Sequence, residues 1–385
     1  MRRLGVVTTS RADYSLLRPL LKAIDADPDL ECWLYVTGGH LLKGQGMTIE
    51  DIRNDGFTIR AELDSLSDGD EPADIARGMA ETTRLFANQF EKECPDLLVL
   101  LGDRFEMHAA AMAAVPFNLC LAHIHGGEAT EGMIDEAMRH SLTKFSHIHL
   151  VSHPDYARRI VQMGEDACRV TICGAPGLEN LNRADLMGDA ELEEKTGLKS
   201  GEAPLVVTFH PLTLDVSHVA QQCDSFYTSL EKFDGPIVVT RPNMDTHGSI
   251  AAKAAEYFVS KSNRHHLVGS LGSRGYFTLL KRARAMVGNS SSGIIEAASF
   301  ALPVVNVGDR QKGRVHGNNV LDCPNRVEAI RGALAKALTP SFKKSLLSMQ
   351  NPYDQGGASS IILKVLKETS LGTSLLQKQF NDAKP

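Results

Sequence analysis

The sequence predicts two doubly wound α/β domains facing each other across a cleft, and three observations lead there. Short β-rich runs alternate with helix-length amphipathic stretches along nearly the whole chain. The alternation is interrupted once, by the polar and charged residues 179–203, and then begins again. The length, 385 residues, allows two domains of ordinary size, each with its own core.

In the first series, "LGVVTT" (4–9), "CWLYVTG" (32–38), "LLVLLGD" (97–103), "LCLAHIH" (119–125), "IHLVSH" (148–153) and "VTICG" (170–174) read as buried parallel strands. Helices fall between them near 13–25, 74–92, 105–115, 133–145 and 154–163. The second series has strands in "PLVVTFHP" (204–211), "GPIVVTRPN" (235–243), "AMVGNSSS" (285–292), "LPVVNVGDR" (302–310) and "NNVLDC" (318–323). Its helices fall near 218–232, 248–260, 275–284, 293–300 and 325–338. This gives an N-terminal domain over 1–178, a linker over 179–203 and a C-terminal domain over 204–355. Residues 356–385 read as helical and are expected to pack back on the first domain.

Composition narrows the class. Hydrophobic residues at 43% and charged residues at 23% are those of a globular protein. A net charge of −6 and a pI near 6.2 argue against nucleic-acid or anionic-membrane partners, although local basic loops can still hold a small anion. The first apolar run ends at Val7, too early for a signal-peptide core, and no run approaches the roughly 18 apolar residues of a membrane span. Seven cysteines without a C-x-x-C pair suggest free thiols and a cytoplasmic protein.

Chemistry is expected where strands end. After "VVTT", Arg11 sits in the turn and Asp13 or Ser15 can open the next helix, whose free N–H groups suit an anion. "LGDRFE" places Asp103 and Arg104 just beyond a strand, as a site or as an exposed ion pair. "FHP" sets His210 at another strand end, and Asn243 closes "TRPN". In "MVGNSSSGIIEA", Ser290 and Ser291 add hydroxyls to a helix start and Gly293 allows close backbone approach. Glu296, one turn on, can accept from ribose hydroxyls; a Ser-capped helix is the plain alternative. Arg310, Lys312 and Arg314 form a basic, glycine-flanked loop suited to a diphosphate.

The densest cluster is "AHIHGGEATEGMIDEAMRH" (122–140). Strand alternation puts His123 and His125 on one side, and Glu128 follows two glycines. H-x-H-x-x-E can ligate zinc, form a structural cluster, or serve acid–base chemistry. Asp135 and Arg139 share a helix face at i, i+4, which alone is a surface pair.

These segments resemble, in order, the hydrolysing UDP-N-acetylglucosamine 2-epimerases of the sialic- and legionaminic-acid branch. The resemblance runs from "TTSRADYS" through "LGDRFE", "HIHGGE", "DEAMRHSLTKFSHIHL", "QMGE", "FHP" and "GNSSSGIIEA" to "VGDRQKGR". It implies a glycosyltransferase-B-like pair of Rossmann-like domains that binds a UDP-sugar in the cleft, with no metal or cofactor. It implies a homodimer or homotetramer, and UDP plus a free 2-epimeric sugar as products. Arg11, Ser15, Arg104, His210, Ser290, Ser291, Glu296 and Arg310 match its nucleotide contacts, and Asp103 and Asp135 its acidic positions. Many members carry glutamate at the position of His125, which passes the acid–base role to His125, Glu128 or another group.

The implied reaction removes the C-2 proton as UDP leaves C-1, giving a 2-acetamidoglycal that water then attacks. Asp103, His125, Glu128, Asp135 and His210 are the candidates for its proton transfers. Relatives act on UDP-N-acetylglucosamine or on UDP-N,N′-diacetylbacillosamine. A glycosyltransferase, a non-hydrolysing epimerase or an inactive nucleotide-sugar sensor are the competing readings.

Overall fold

The computed structural model describes residues 1–66, 69–182, 186–212, 216–242 and 248–382. Its first elements are β1 (Arg2–Thr8), α1 (Arg11–Asp25), β2 (Leu30–Thr37), α2 (Ile49–Asn54), β3 (Ile59–Leu63), α3 (Pro72–Lys92), β4 (Leu97–Leu101) and α4 (Phe105–Ala114). Next come β5 (Cys120–Ile124), α5 (Asp135–Phe145), β6 (Ile148–Val151), α6 (Pro154–Gln162), β7 (Val170–Ile172), α7 (Asp189–Thr196), β8 (Leu205–Thr208), α8 (Val219–Leu230) and β9 (Ile237–Thr240). Then follow α9 (Gly248–Ser260), β10 (His265–Val268), α10 (Gly272–Arg282), β11 (Ala285–Gly288), α11 (Ser291–Ile295), β12 (Val304–Val307), β13 (Val320–Cys323), α12 (Val327–Ala337) and α13 (Pro340–Ser345). The last are α14 (Ala358–Glu368) and α15 (Thr373–Leu376).

The chain divides into two compact units. The first holds residues 1–128, 135–179 and those from Tyr353 onward; the second holds Ala129–Ile134 and Asn180–Pro352. In the first, the parallel strands run β3-β2-β1-β4-β5-β6-β7. Both sheet faces are covered, so the central strands are continuously buried rather than alternating, and apolar throughout in β4. Leu17, Leu20, Leu21 and Ile24 recur at helical spacing and, with Ile362 and Leu366 of α14, cover one face. Phe86 and Phe90 of α3 and Met107, Ala110, Ala111 and Ala114 of α4 cover the other.

The second unit has a six-stranded parallel sheet in the order β10-β9-β8-β11-β12-β13. Phe209 stacks on Phe226 at 4.4 Å, and Tyr227 on Phe258 at 4.9 Å, inside its core. The stretch read as a linker contains α7, which belongs to this unit. Leu192 is fully buried, Glu191 pairs with Arg274, and the Met187 N–H donates to Thr278. Ala129–Ile134 also belongs here, the Glu131 N–H reaching the Lys312 carbonyl at 3.4 Å and its carboxylate the Lys312 ammonium at 3.1 Å.

Two strands, β3 and β10, escape the apolar scan. Both are sheet edges, where half-exposed charged and histidine residues replace the continuous apolar run. The helix expected over 293–300 is the five-residue α11 followed by a 3₁₀ turn over Ala297–Phe300.

Gly288 ends β11 at φ 142°, and a Cβ there would lie 1.8 Å from the Thr208 carbonyl oxygen of β8. Neither main chain can yield without opening the sheet below the second unit's candidate site. Gly288→Ala is therefore expected to destabilise that unit by at least about 2 kcal/mol. A lowered urea midpoint by fluorescence supports this; an unchanged midpoint contradicts it.

Candidate active site

In an open parallel sheet, ligands meet the carboxyl ends of strands where the strand order reverses. In the first unit that point lies between β1 and β4. Asp13, 4% exposed, gathers the end of β1: it accepts from Thr8 Oγ1 (2.5 Å), the Thr9 N–H (2.9 Å), Thr9 Oγ1 (2.7 Å) and Ser10 Oγ (2.7 Å). This lets α1 open at Arg11 with Ser10 as its cap, rather than at Asp13 or Ser15. Ser15 lies one turn on and donates to the Ala12 carbonyl. His40 bridges Thr8 and Thr48, and burial lowers its pKa. Arg104 lies beyond β4 and grips Glu106 through two 3.1 Å bonds. Glu106 is fully buried, which raises its pKa, while Arg104 opposes that shift.

The cluster over 122–140 builds a second, connected network. β5 ends at Ile124, and His125 takes a left-handed backbone, φ 64°, uncommon outside glycine. His123 and His125 therefore do not act on one side together, as simple alternation predicts. His123 Nε2 meets the Gly102 carbonyl at 2.7 Å, whereas His125 Nδ1 meets Glu128 Oε1 at 2.6 Å. Glu128, 1% exposed, also accepts from Ser152 Oγ at 3.0 Å. His125 is 4% exposed, and its Nε2 has no hydrogen-bond partner among the described residues. The glycine pair makes the turn possible: Gly127 has φ 75°, and a Cβ there would lie 2.5 Å from the Tyr156 carbonyl.

Arg139 ties this turn to β4. Its guanidinium is fully buried, pairs with Asp103 and with Glu136 (2.6 Å), and donates to the Glu128 carbonyl at 3.0 Å. The i, i+4 reading of Asp135 and Arg139 as a surface pair underrates it. Asp135 begins α5, one helical turn before Arg139. Among the described residues, no three His, Cys, Asp or Glu side chains are grouped as metal ligands.

The second unit's strand order reverses between β8 and β11. His210 follows β8, and Asn289 clamps its main chain, accepting from the His210 N–H at 2.8 Å and donating to its carbonyl at 2.9 Å. The Asn289 carbonyl in turn accepts from Arg310 (3.2 Å) and Gln311 (2.9 Å). Ser290 caps α11, Ser291 opens it, and Tyr276 donates to Ser292 at 2.8 Å. Glu296 stands at the end of this short helix. Gly293 faces the sheet: a Cβ would lie 3.0 Å from Val304 Cγ1, so its small size serves helix–strand packing rather than approach to a ligand. A cavity of about 580 Å³ opens beside Asn289, between Phe209, Gln311 and Asn325. Asn243 lies outside the described residues.

A family profile described as UDP-N-acetylglucosamine 2-epimerase matches residues 22–367. The chain belongs to that family. A Campylobacter jejuni relative named GDP/UDP-N,N′-diacetylbacillosamine 2-epimerase (hydrolyzing) is 34% identical over 99% of this chain and 99% of its own. A Neisseria meningitidis serogroup B relative named UDP-N-acetylglucosamine 2-epimerase is 33% identical over 88% of each chain. Among solved structures, the Neisseria meningitidis UDP-GlcNAc 2-epimerase bound to UDP-GlcNAc superposes with a TM-score of 0.83 at 16% identity, covering 96% of this chain and 100% of that one. The fold is thus the glycosyltransferase-B-like pair of α/β domains that 2-epimerases of this family share.

Sequence reading did not single out Glu106, Asn289 or Ser152. Glu106 was visible as a carboxylate between Phe105 and Met107 on an apolar helix, a pattern that signals burial. Asn289 and Ser152 act through main-chain and carboxylate contacts that no spacing reveals.

Burial lowers the pKa of both His123 and His147 from 6.5 to about 4. The unfolded rings therefore bind protons that the folded rings refuse, and the stability carried by the neutral rings is complete above 6.5 and lost as pH falls toward 4. His147 Nδ1 accepts the Leu121 N–H, a bond that asparagine can keep. His147→Asn should make the fall in unfolding free energy between pH 7 and pH 4, from urea titrations, shallower by on the order of 3 kcal/mol. An identical fall in both proteins contradicts the assignment.

Proposed function

We propose that this chain is a hydrolysing 2-epimerase that converts UDP-N-acetylglucosamine to UDP and N-acetylmannosamine. One observation carries the reading: a buried imidazole, His125, is held at Nδ1 by Glu128 and offers an Nε2 with no hydrogen-bond partner among the described residues. Glu128 fixes the tautomer, so the free lone pair lies on Nε2, and the carboxylate stabilises the imidazolium formed when a proton arrives.

In the first step, the base takes the C-2 proton and the C–H electrons form the C-1–C-2 double bond. The C-1–O bond breaks and UDP leaves with its electron pair. Water then adds its oxygen to C-1, and a proton returns to C-2 on the opposite face. Atoms and electrons balance without an oxidant. Asp135 and the Arg139-bound Asp103 are the further candidates for the acid of the second step.

The leaving diphosphate needs cationic and N–H donors. Arg11 and Arg104 of the first unit and His210, Ser290, Ser291 and Arg310 of the second are assigned that work, with Glu296 on the ribose. The Asn289 clamp supports this division, since it fixes His210, Ser290 and Arg310 about one main-chain segment.

A second reading, the same reaction on UDP-N,N′-diacetylbacillosamine, is favoured by the name of the Campylobacter relative. Supplying each sugar nucleotide in D₂O and following the anomeric protons by NMR separates the possibilities. Free N-acetylmannosamine with deuterium at C-2, formed at least tenfold faster than the free 2-epimer of the diacetyl sugar, is expected. The reverse preference supports the second reading. A product still joined to UDP, or UDP released only with an added acceptor alcohol, contradicts both.

A further inference from the structure

Away from the acid–base groups, the first unit holds a buried ionic node with no part in the chemistry above. Glu165, 1% exposed, follows α6. Its Oε1 meets Lys144 Nζ at 2.5 Å, and its Oε2 meets His149 Nε2 at 3.1 Å and Lys378 Nζ at 2.8 Å. Lys378 comes from the segment after α15. Its ammonium also donates to the carbonyls of Lys144 (2.8 Å) and Ser146 (2.6 Å), which accounts for all three of its N–H bonds.

The segment is held along its length. Arg169 donates to the carbonyls of Ser374 (3.3 Å), Leu375 (2.6 Å) and Gln377 (3.1 Å). The Asn381 N–H reaches the Gly164 carbonyl at 3.0 Å. The Phe380 ring lies over Gly164, where a Cβ would stand 2.7 Å away, and Lys144 Nζ sits 4.9 Å from that ring.

The carbonyls that Lys378 caps belong to the C-terminal end of α5, where a cation also complements the helix dipole. The other end of the same helix presents Asp135 and Arg139. An eleven-residue helix is about 16 Å long and moves as a rod. Its register at one end therefore sets where Arg139 meets Asp103 and the Glu128 carbonyl at the other.

We propose that residues 373–381 form a strap that seats α5, and that Lys378 is a positioning residue for the Arg139–Asp103–Glu128 network. The functional half of this rests on the epimerase reading above. Removing Lys378 would take one cation from a buried carboxylate and uncap α5.

The test uses the full chain with Lys378→Ala, Lys378→Arg and the milder Phe380→Ala, which loosens the strap while leaving Glu165 paired. Hydrogen exchange over 135–146, UDP affinity by calorimetry, and kcat with KM are read together. Lys378→Ala should speed exchange there at least tenfold and lower kcat at least tenfold, with KM and UDP affinity within twofold. Lys378→Arg should recover kcat to within threefold, and Phe380→Ala should shift exchange and kcat the same way by about threefold. Unchanged exchange over 135–146, or a wild-type kcat with only a lower Tm, overturns the proposal. If Lys378→Ala does not fold, Phe380→Ala decides by the same two readings. If wild-type protein turns over neither sugar, the epimerase reading fails, while the exchange data still decide whether the strap seats α5.

Discussion

A buried guanidinium is the constraint on which the arrangement of the first unit's candidate site depends. Arg139 has no exposed surface and must be compensated on every side. Burial opposes its charge, but Asp103, Glu128 and Glu136 more than offset that and raise its pKa. Because its partners come from the end of β4, the turn after β5 and the first turn of α5, one side chain fixes three pieces of main chain together. Truncating it would remove the shared cation of two part-exposed carboxylates, Asp103 and Glu136, and leave the Glu128 carbonyl without this donor. Asp103, the Glu128 main chain and Glu136 are therefore held together by the fold.

The turn carrying His125 shows what this rigidity is for. A left-handed histidine costs on the order of 1 kcal/mol, and the two glycines after it pass against His123 and Tyr156 with no room for a side chain. The strain buys a ring that faces Glu128 instead of continuing the strand. Where the family resemblance leads one to expect a carboxylate, this chain has an imidazole backed by one. For the proposed proton removal from carbon, an imidazole beside Glu128 is suited, since a carboxylate stands ready to pair with charge that develops on the ring.

Much of the fold was legible because parallel strands covered on both faces write themselves as apolar runs, as in "LLVLL" of β4 and "LVVT" of β8. The edges β3 and β10 were not, since a half-exposed strand carries no such run. The placement of the candidate residues was legible from strand ends: Arg11, Asp103, Arg104, His210 and Ser290 all lie where the strand order reverses. Pairings across the chain were not. Arg139 and Asp103 are 36 residues apart, and Lys378 reaches carbonyls more than 230 residues away, so local spacing offered only the surface-pair reading of Arg139. Alternation failed at His125 because it assumes extended backbone, and the left-handed residue comes one position after the strand ends.

The central claim is that His125, oriented by Glu128, exchanges the proton at C-2. The most direct measurement is the rate of solvent deuterium entry at C-2 of the sugar, in wild-type protein, His125→Gln and Glu128→Gln. Loss of at least a hundredfold in His125→Gln and a smaller loss in Glu128→Gln, with UDP affinity retained in both, is the predicted result. Wild-type deuterium entry in His125→Gln would contradict the claim, and the proton would have to be sought at another carboxylate.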